Sequence, residues 1–287
     1  MNIQEGVSLK KYCSYGVGGE SRYFCAPSTT DQLKSCLHFV NDHSIPLAII
    51  GYGSNVLISD QGFSGLVLTL RNLNRLIFKK HEKIFVGAGV LLDSMILYTI
   101  RSYMSGAESL SGIPGSVGGA IGMNAGAFGT EIKDIVTRID LVNLEGESYS
   151  INSSEAGFAY RKAANISGSI VTSAEFNLAE GDGTALMAKR KDILNRRAEK
   201  QPLEFRSCGS VFKRPEGSYA GALIEKCGLK GKTHGGAMVS PKHANFIVNT
   251  GDASADDIRS LILFVKETVK KETGYELEEE VKYLGFE

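Results

Sequence analysis

Hydrophobic residues recur along the first half of the chain at two spacings, which predict alternating strands and helices. Residues 22–70 follow the order strand, helix, strand, turn, strand, and the helix carries Leu33, Leu37 and Val40 on one face. The apolar runs IPLAII (45–50) and LVLTL (66–70) predict buried strands. A further strand is predicted at IFVGAG (84–89), followed by a helix over 92–103.

The second half of the chain continues this mixed pattern. The runs IVTRIDLVNL and ESYSI predict two strands joined by a turn at Glu145-Gly146, and SIVTSAEFNL (169–178) predicts another strand. A charged helix is predicted over 184–199, ending before Pro202. Ser254, with Asp257 three residues later, predicts the capped start of a helix with an apolar stripe. The last predicted strand is YELEEEVKYL.

Residues 109–130, SLSGIPGSVGGAIGMNAGAFGT, interrupt the pattern. Seven of these 22 residues are glycine and none is charged, so the stretch contributes little to a core. Glycine is costly to order and is used where the backbone bends sharply or approaches something closely. Backbone N–H groups in such loops commonly bind phosphate. The stretch therefore predicts a loop that wraps a phosphate-bearing ligand.

The turn GYGSN (51–55) after a buried strand is either a plain tight turn or a second ligand loop. Because it is not GxGxxG and no helix pattern follows, a Rossmann site is disfavoured. Several glycine turns after short strands suit a long phosphate-containing cofactor, and FAD fits better than a mononucleotide.

Composition narrows the classes of function. The 287 residues are enough for about two domains. Net charge is zero, which speaks against a general nucleic-acid binder. No apolar run approaches the roughly 18 residues of a membrane span, and the N-terminus lacks the apolar core of a signal peptide. Five cysteines without CxxC spacing make a metal site or disulfide framework unexpected and favour a reducing cytoplasm.

Charge is unevenly distributed. Residues 206–242 contain seven Lys or Arg and two Glu, which indicates either a solvated basic face or a site for an anionic ligand. Within this stretch Ser210 is a proton donor, an anion ligand or a turn residue, and Cys208 is a nucleophile or, more simply, a small buried thiol. Arg161 is either a carboxylate-binding residue or an exposed arginine. His243 and Asn245 are either site residues or hydrogen-bonded structural residues.

Together these motifs resemble the UDP-N-acetylenolpyruvoylglucosamine reductase family. Eight segments carry the resemblance, in family order over nearly the whole chain: GVGGESRYF (16–24), GYGSNVLISDQGFSGLVL (51–68), SGIPGSVGGAIGMNAGAFG (111–129), FAYR (158–161), SCGSVFKRP (207–215), AGALIEKCGLKG (220–231), SPKHANFIVN (240–249) and LEEEVKYLG (277–285). Two departures are Ala163, where a serine is common, and Cys13-Ser14, where two threonines are usual. SCGSVFKRP and LEEEVKYLG disfavour another oxidoreductase on the same scaffold, such as a sugar-lactone oxidase. A non-catalytic nucleotide-sugar binding module is the rival of a different class.

The resemblance implies an α+β fold with a vanillyl-alcohol-oxidase-type FAD-binding region at 1–183, made of two subdomains at about 1–70 and 71–183. A bridging helix follows at 184–206, and a C-terminal α+β substrate-binding domain at 207–287 has its last strand returning toward the active site. The short spacing after Arg161 resembles the shorter subclass, which lacks an inserted loop whose tyrosine caps the substrate.

The resemblance also implies a reaction and a set of residues. NADPH reduces FAD and leaves, and the enolpyruvyl UDP-sugar then accepts a hydride from the flavin. Arg161 matches the arginine that steadies the substrate carboxylate, Ser210 the proton donor and Glu280 the glutamate that polarises the substrate. No obligate protein partner is implied.

Two further groups of residues complete the predicted site. The predicted FAD-binding residues are Gly18, Gly19, Gly51, Tyr52, Gly53, Ser54, Asn55, Gly112, Ile113, Pro114, Gly115, Gly118, Gly119, Asn124 and Gly126. The predicted substrate-binding residues are Tyr160, Lys213, Arg214, Lys242, His243 and Asn245, of which the three cations are candidates for the two phosphates of UDP.

Overall fold

The computed structural model describes residues 2–80 and 83–286; Met1, His81, Glu82 and Glu287, which the predicted domain ranges include, lie outside the described residues. The described chain forms twenty strands: β1 (Gln4–Ser8), β2 (Glu20–Cys25), β3 (Leu47–Ile50), β4 (Val56–Ile58), β5 (Phe63–Thr69), β6 (Ile77–Lys80), β7 (Lys83–Gly87), β8 (Met104–Ser105), β9 (Gly126–Ala127), β10 (Thr130–Glu131), β11 (Val136–Asn143), β12 (Ser148–Asn152), β13 (Phe158–Ala159), β14 (Lys162–Ala163), β15 (Ser169–Asn177), β16 (Ala179–Glu180), β17 (Thr233–His234), β18 (Ala237–Val239), β19 (Ile247–Asn249) and β20 (Lys282–Leu284). Its α-helices are α1 (Thr30–Asp42), α2 (Leu92–Arg101), α3 (Val117–Gly122), α4 (Gly183–Lys200), α5 (Ala220–Lys226) and α6 (Ala255–Thr273).

Most of the longer strands belong to three sheets in the described chain. The orders are β1-β2-β5-β3, β12-β11-β15-β7-β6 and β17-β18-β19, and further strands form two-stranded pairs such as β13 with β14 and β20 with β4. Within the five-stranded sheet every described pairing is antiparallel. Helices and mainly antiparallel sheets together make an α+β architecture, as predicted.

Contacts divide the chain into two compact units. The first contains Phe24–Tyr52 and Gly65–Arg196 with the first few residues of the chain, and the second contains Glu5–Tyr23, Gly53–Ser64 and the chain from Arg197 onward. The unit boundary therefore falls inside α4, in the region predicted to be a bridge. The predicted functional domains are drawn differently, since 5–23 and 53–64 were placed with the FAD-binding region, and those boundaries stay a prediction.

The five-stranded sheet and the amphipathic α2 supply much of the first unit's core. Ile139, Leu141 and Phe176 are buried on the two central strands, and Leu92 and Ile96 are buried on α2. Burial along β11 alternates only over Ile139, Asp140 and Leu141, because irregularities in the pairing with β15 interrupt the two-residue repeat of the strand. This core supports the loops between β7 and β11, which hold the glycine-rich stretch.

In the second unit, α6 covers the three-stranded sheet β17-β18-β19. The Ser254 hydroxyl accepts the N–H of Asp257 at 3.0 Å, and the Asp257 carboxylate accepts the N–H of Ser254 at 2.9 Å, so the predicted capping box is confirmed. The helix ends at Gly274, whose φ of +77° is left-handed. Its buried stripe, Ile258, Leu261, Ile262, Val265 and Val269, is the predicted one.

Two predicted elements are wrong in extent. The helix predicted over 92–103 ends at Arg101, and Tyr103 takes a left-handed φ of +59° that no α-helix contains. The strand predicted over the last residues is limited to β20, which pairs in parallel with β4. Before β20 the backbone makes only an isolated bridge, between Glu279 and Phe212, because it crosses from one neighbouring segment to another.

Candidate active site

The glycine-rich stretch of the first unit is built around the short helix α3. Ser116 caps this helix by accepting the N–H of Gly119 at 3.2 Å. A Cβ at Gly118 would lie 2.9 Å from the Cβ of Ala88, closer than real Cβ atoms come. This glycine therefore lets α3 lie directly against the end of β7, which is a packing role and not by itself a ligand contact.

An inventory of N–H groups shows which part of the stretch is available to an anion. Several of these groups already have protein acceptors: those of Gly112, Ile113, Val117, Gly118 and Gly119. In the described part of the chain, the N–H groups of Gly115 and Ser116 donate to no acceptor. These two neighbouring N–H groups are therefore open to an anion, and a phosphate contact through them stays a prediction.

The turn at Gly51 and Tyr52, also in the first unit, is held from its carbonyl side. Arg71 donates to the Gly51 carbonyl at 3.4 Å and to the Tyr52 carbonyl at 3.0 Å, and the Thr69 hydroxyl adds a bond to Gly51 at 3.3 Å. A trans peptide points its C=O and N–H in opposite directions, so the N–H of Tyr52 faces away from Arg71. The sequence analysis did not identify Arg71; its position shortly after a strand carries no motif.

Two of the predicted cofactor glycines of the second unit, Gly19 and Gly53, are packed against backbone. A Cβ at Gly53 would lie 1.8 Å from the carbonyl oxygen of Tyr12, and one at Gly19 would lie 2.2 Å from that of Asp60. Both positions therefore require glycine whatever ligand is bound. Contacts of Gly18, Gly19, Gly53, Ser54 and Asn55 with FAD stay predictions.

Arg161 lies in a tight hairpin of the first unit. Strands β13 and β14 pair through Ala159 and Lys162, which leaves Tyr160 and Arg161 as the two-residue turn. Arg161 has a left-handed φ of +57°, uncommon for a side-chain-bearing residue, and its guanidinium lies 5.1 Å from the centre of the Tyr160 ring. Outliers of this kind cluster at functional sites.

The side chain of Asn124 holds this hairpin through a hydrogen bond to its backbone. Its side chain is fully buried, donates to the Ala159 carbonyl at 3.1 Å and to the Glu131 carboxylate at 3.0 Å, and accepts the N–H of Lys133 at 3.1 Å. Lys133 first, and then the Asn124 amide and the charge of Arg161, lower the pKa of Glu131. The predicted cofactor contact of Asn124 stays a prediction, whereas these bonds give its side chain a role in holding the hairpin.

In the second unit the chain from Ser210 to Lys213 lies between two other segments. On one side the N–H of Glu280 donates to the Val211 carbonyl at 2.7 Å, and the N–H of Lys213 donates to the Glu278 carbonyl at 2.8 Å. On the other side Asn245 brackets Phe212, accepting its N–H at 3.0 Å and donating to its carbonyl at 2.8 Å. Two residues that are 70 positions apart in sequence, Ser210 and Glu280, are thus brought to neighbouring backbone positions, both half-buried.

Asn55 ties a third segment of the second unit to this place. The side-chain amide of Asn55 donates to the backbone carbonyl of Glu280 at 3.0 Å, and the backbone carbonyl of Asn55 accepts the N–H of Lys282 at 3.0 Å. Asn55 was predicted to bind FAD through the GYGSN turn, and the structure adds a contact with the segment of the predicted catalytic glutamate.

The predicted UDP-binding cations all have protein partners. Lys213 forms an ion pair with Glu278, and its hydrogen bond lowers the pKa of that carboxyl. Arg214 lies 4.1 Å above the Tyr219 ring, and Lys242 donates to the Ala198 carbonyl at 2.7 Å. A phosphate would therefore share or replace these partners, and the three assignments stay predictions.

In the second unit His243 is half-buried and Cys208 is buried. Burial lowers the pKa of His243, and its Nδ1 accepts the N–H of Asn245 at 3.3 Å, which fits a neutral ring. Burial, followed by the hydrogen bond with the Cys13 thiol, raises the pKa of Cys208 well above its usual range. Cys208 is only 4% exposed, so the prediction of a small buried thiol is confirmed and its use as a nucleophile is disfavoured.

None of the helices in residues 2–80 and 83–286 combines the length and the apolar character that crossing a membrane requires. Among those same residues there is also no group of three or more His, Cys, Asp or Glu side chains that could hold a metal ion.

Comparison with known proteins first gives the class. Residues 21–152 match the family model of the FAD binding domain. A glucose dehydrogenase, wild-type Phl p 4.0202, shares the fold with a TM-score of 0.51 and 15% identity, over 73% of this chain and 49% of that one. The chain therefore carries an FAD-binding domain, which makes it a flavoprotein.

Matches over almost the whole chain identify the particular family. Residues 201–284 match the model of the UDP-N-acetylenolpyruvoylglucosamine reductase C-terminal domain. The reductases of Clostridioides difficile and Geobacillus thermodenitrificans are 44% and 40% identical, over 99% and 100% of this chain and 94% of each relative. The crystal structure of the Thermus caldophilus enzyme has 33% identity and a TM-score of 0.84, covering 99% of both chains. The chain belongs to the UDP-N-acetylenolpyruvoylglucosamine reductase family of FAD-dependent oxidoreductases, so the predicted family, fold class, enzyme class and FAD cofactor are confirmed.

Proposed function

We propose that this chain reduces the enolpyruvyl group of UDP-N-acetylenolpyruvoylglucosamine to give UDP-N-acetylmuramate, with NADPH as the reductant. The reaction serves peptidoglycan precursor synthesis in the cytoplasm. The observation that carries the proposal is the bond from the N–H of Glu280 to the carbonyl of Val211, because it makes the two residues that match the family's proton donor and glutamate into neighbours. We also propose that the chain belongs to the shorter subclass, which lacks the inserted loop whose tyrosine caps the substrate.

The residues of this chain have separate tasks in that reaction. FAD, when bound and reduced by NADPH, supplies the hydride that adds to the terminal vinyl carbon of the substrate. Electron density then moves toward the substrate carboxylate, where the fixed positive charge of Arg161 stabilises it. Ser210 gives a proton to the adjacent carbon, which completes the addition of hydride and proton across the double bond.

Glu280 polarises the carboxylate side of the substrate. A glutamate acts as a hydrogen-bond donor only when it is protonated. Filling the site with substrate removes water, and desolvation favours the neutral form of a carboxyl group. The amide of Asn55 donates to the Glu280 backbone carbonyl at 3.0 Å, which fixes the backbone position from which this side chain would act.

The residues proposed to hold FAD fit a pyrophosphate. Gly115 and Ser116 offer two neighbouring N–H groups, and Tyr52 offers one that points away from Arg71. Backbone N–H groups bind an anion without needing a compensating side-chain charge, which suits a stretch that has no charged residue between 109 and 130. UDP would be met by the basic 206–242 stretch, with Lys213, Arg214 and Lys242 as its proposed contacts.

One measurement tests the reaction. Purified protein is expected to be yellow and to oxidise NADPH rapidly only when the enolpyruvyl UDP-sugar is supplied. The matched control is UDP-N-acetylglucosamine, which has the same nucleotide and sugar without the vinyl group. Yellow protein that oxidises NADPH equally with either compound would contradict the substrate assignment. Colourless protein that binds both compounds would favour a binding module, and yellow protein active on sugar lactones would favour an oxidase of the same scaffold.

A further inference from the structure

Arg190 and Asp93 form a two-bond ion pair in the first unit. Nη1 of Arg190 lies 2.6 Å from Oδ1 of Asp93, and Nη2 lies 2.6 Å from Oδ2. The arginine side chain is only 12% exposed. Because a guanidinium and a carboxylate that meet through two parallel bonds fix each other's plane, this pair sets the orientation of the Asp93 side chain.

Asp93 uses the same carboxylate to hold the glycine-rich stretch. Its Oδ1 accepts the N–H of Gly112 at 3.1 Å, and the N–H of the preceding residue, Leu92, donates to the Gly115 carbonyl at 3.0 Å. The first turn of α2 therefore forms hydrogen bonds with both ends of the segment from Gly112 to Gly115. Since the Gly115 carbonyl points toward α2, the N–H of Ser116 in the same peptide points away from it.

The neighbouring residue of α4 repeats this arrangement. Lys189 donates to Oε1 of Glu108 at 2.8 Å, and Oε2 of Glu108 accepts the N–H of Gly106 at 2.7 Å. Consecutive cations on one helix thus hold two carboxylates, and each carboxylate holds one backbone N–H of the segment 106–112. The segment 106–112 is therefore held by α4 through two ion pairs, one at Glu108 and one at Asp93.

We propose that Arg190 is a positioning residue for FAD: by orienting Asp93 it holds the turn from Gly112 to Gly115, so that the N–H groups of Gly115 and Ser116 face the pyrophosphate. This inference rests on the proposed assignment of these N–H groups to FAD. Arg190 acts through Asp93 and makes no contact with the cofactor itself.

The test measures release of FAD from the holoenzyme by the rise in flavin fluorescence on dilution, together with thermal unfolding in excess FAD. Replacing Arg190→Met is expected to raise the FAD dissociation constant about tenfold or more, the effect of losing a charge-assisted hydrogen bond. Arg190→Lys keeps the charge but loses the second bond, so its effect is intermediate. Asp192→Asn, an exposed acidic position on the same helix, is the control and changes the constant less than about twofold.

A charge exchange separates positioning from simple structural support. The double variant Asp93→Arg with Arg190→Asp rebuilds an ion pair but leaves the Gly112 N–H without its acceptor. We expect it to recover much of the unfolding temperature while FAD remains weakly bound. Recovery of both properties would overturn the inference, because the pair would then act only as a structural link.

Two further outcomes would overturn the inference. An unchanged dissociation constant in Arg190→Met, or in Arg190→Lys if the methionine variant does not fold, overturns the inference when Gly115→Ala does weaken FAD binding. If Gly115→Ala also leaves binding unchanged, the proposed FAD loop is wrong, and the inference falls with it. Neither result depends on the substrate, so a failure of the proposed reaction is recognised separately.

Discussion

The side-chain amide of Asn124 donates to the carbonyl of Ala159, 35 residues further along the chain, at a distance of 3.1 Å. Ala159 is the residue before the Tyr160–Arg161 turn, so this bond connects the glycine-rich stretch with the hairpin that presents the proposed carboxylate-binding arginine. The same amide donates to Glu131, and Asn124 itself is fully buried.

Replacing Asn124→Asp should therefore destabilise the protein. Asn124 has a left-handed φ of +40°, and aspartate accepts such a φ nearly as well as asparagine, so backbone strain is not the cause. The new carboxylate cannot donate to Ala159 and would face Glu131, and we expect a loss of about 1–3 kcal/mol in the free energy of unfolding. Urea unfolding of the holoenzyme measures it. The control is Asn143→Asp, which alters a similar but exposed pair of hydrogen bonds with Glu147 and should cost less than about 0.5 kcal/mol in the free energy of unfolding. Equal losses in the two variants would show that burial of Asn124 does not strengthen its contribution.

Replacing Ser210→Ala tests the proposed proton donor. We expect NADPH to reduce the flavin at an unchanged rate, whereas reoxidation by the enolpyruvyl UDP-sugar slows by roughly 10²- to 10⁴-fold, the usual contribution of general acid catalysis. Stopped-flow absorbance of the flavin separates the two half-reactions. Ser207→Ala, three residues earlier, should leave both rates unchanged. A reoxidation rate in Ser210→Ala equal to that of the unmodified protein would remove Ser210 from the mechanism.

A serine hydroxyl is a weak acid, so we expect a neighbouring charge to assist Ser210. Lys213 is the candidate, and the structure pairs it with Glu278. The two possibilities respond differently to substitution. If the lysine charge assists Ser210, Lys213→Met should slow reoxidation of reduced enzyme, while Glu278→Gln, which keeps the lysine and removes its partner's charge, should not. Unaltered turnover of reduced Lys213→Met enzyme would rule out the assisting role and leave only the ion pair.

Acid should weaken the fold through His243. Because burial lowers the pKa of this histidine, the unfolded chain takes up a proton near its ordinary pKa of about 6.5 while the folded protein resists it. Stability from the neutral ring is therefore complete above pH 6.5 and decreases as the pH falls below it, at no more than roughly 1.4 kcal/mol per pH unit for one proton. Urea unfolding at pH 7.5 and pH 5 measures the difference.

The His243→Gln variant removes this titration. Its difference in stability from the unmodified protein should shrink at the lower pH, because only the unmodified protein loses the stability that the neutral ring contributes. A difference for His243→Gln that does not change with pH would show that the ring does not titrate as its burial indicates.

Local pattern was sufficient for most elements of the fold. The strands and helices of 22–70, the capping box at Ser254 and the turn at Glu145-Gly146 depend on neighbours in sequence, and the structure contains all of them. It was not sufficient for the end of α2 or for the last strand, because their limits are set by which segment lies alongside. Glu278, for instance, accepts the N–H of Lys213, 65 positions away.

The sequence alone determined the chemical inventory: a glycine-rich stretch without charge, a basic segment, and motifs sufficient to indicate the family and FAD. The tertiary structure decided which N–H groups remain available for an anion and which side chains hold them. Arg71, Asp93 and Arg190 carry no motif, since their effect comes from hydrogen bonds to backbone or carboxylates that the fold brings near. A sequence pattern records residue types at short spacing, whereas a hydrogen bond between residues 93 and 190 exists only after the chain between them has folded.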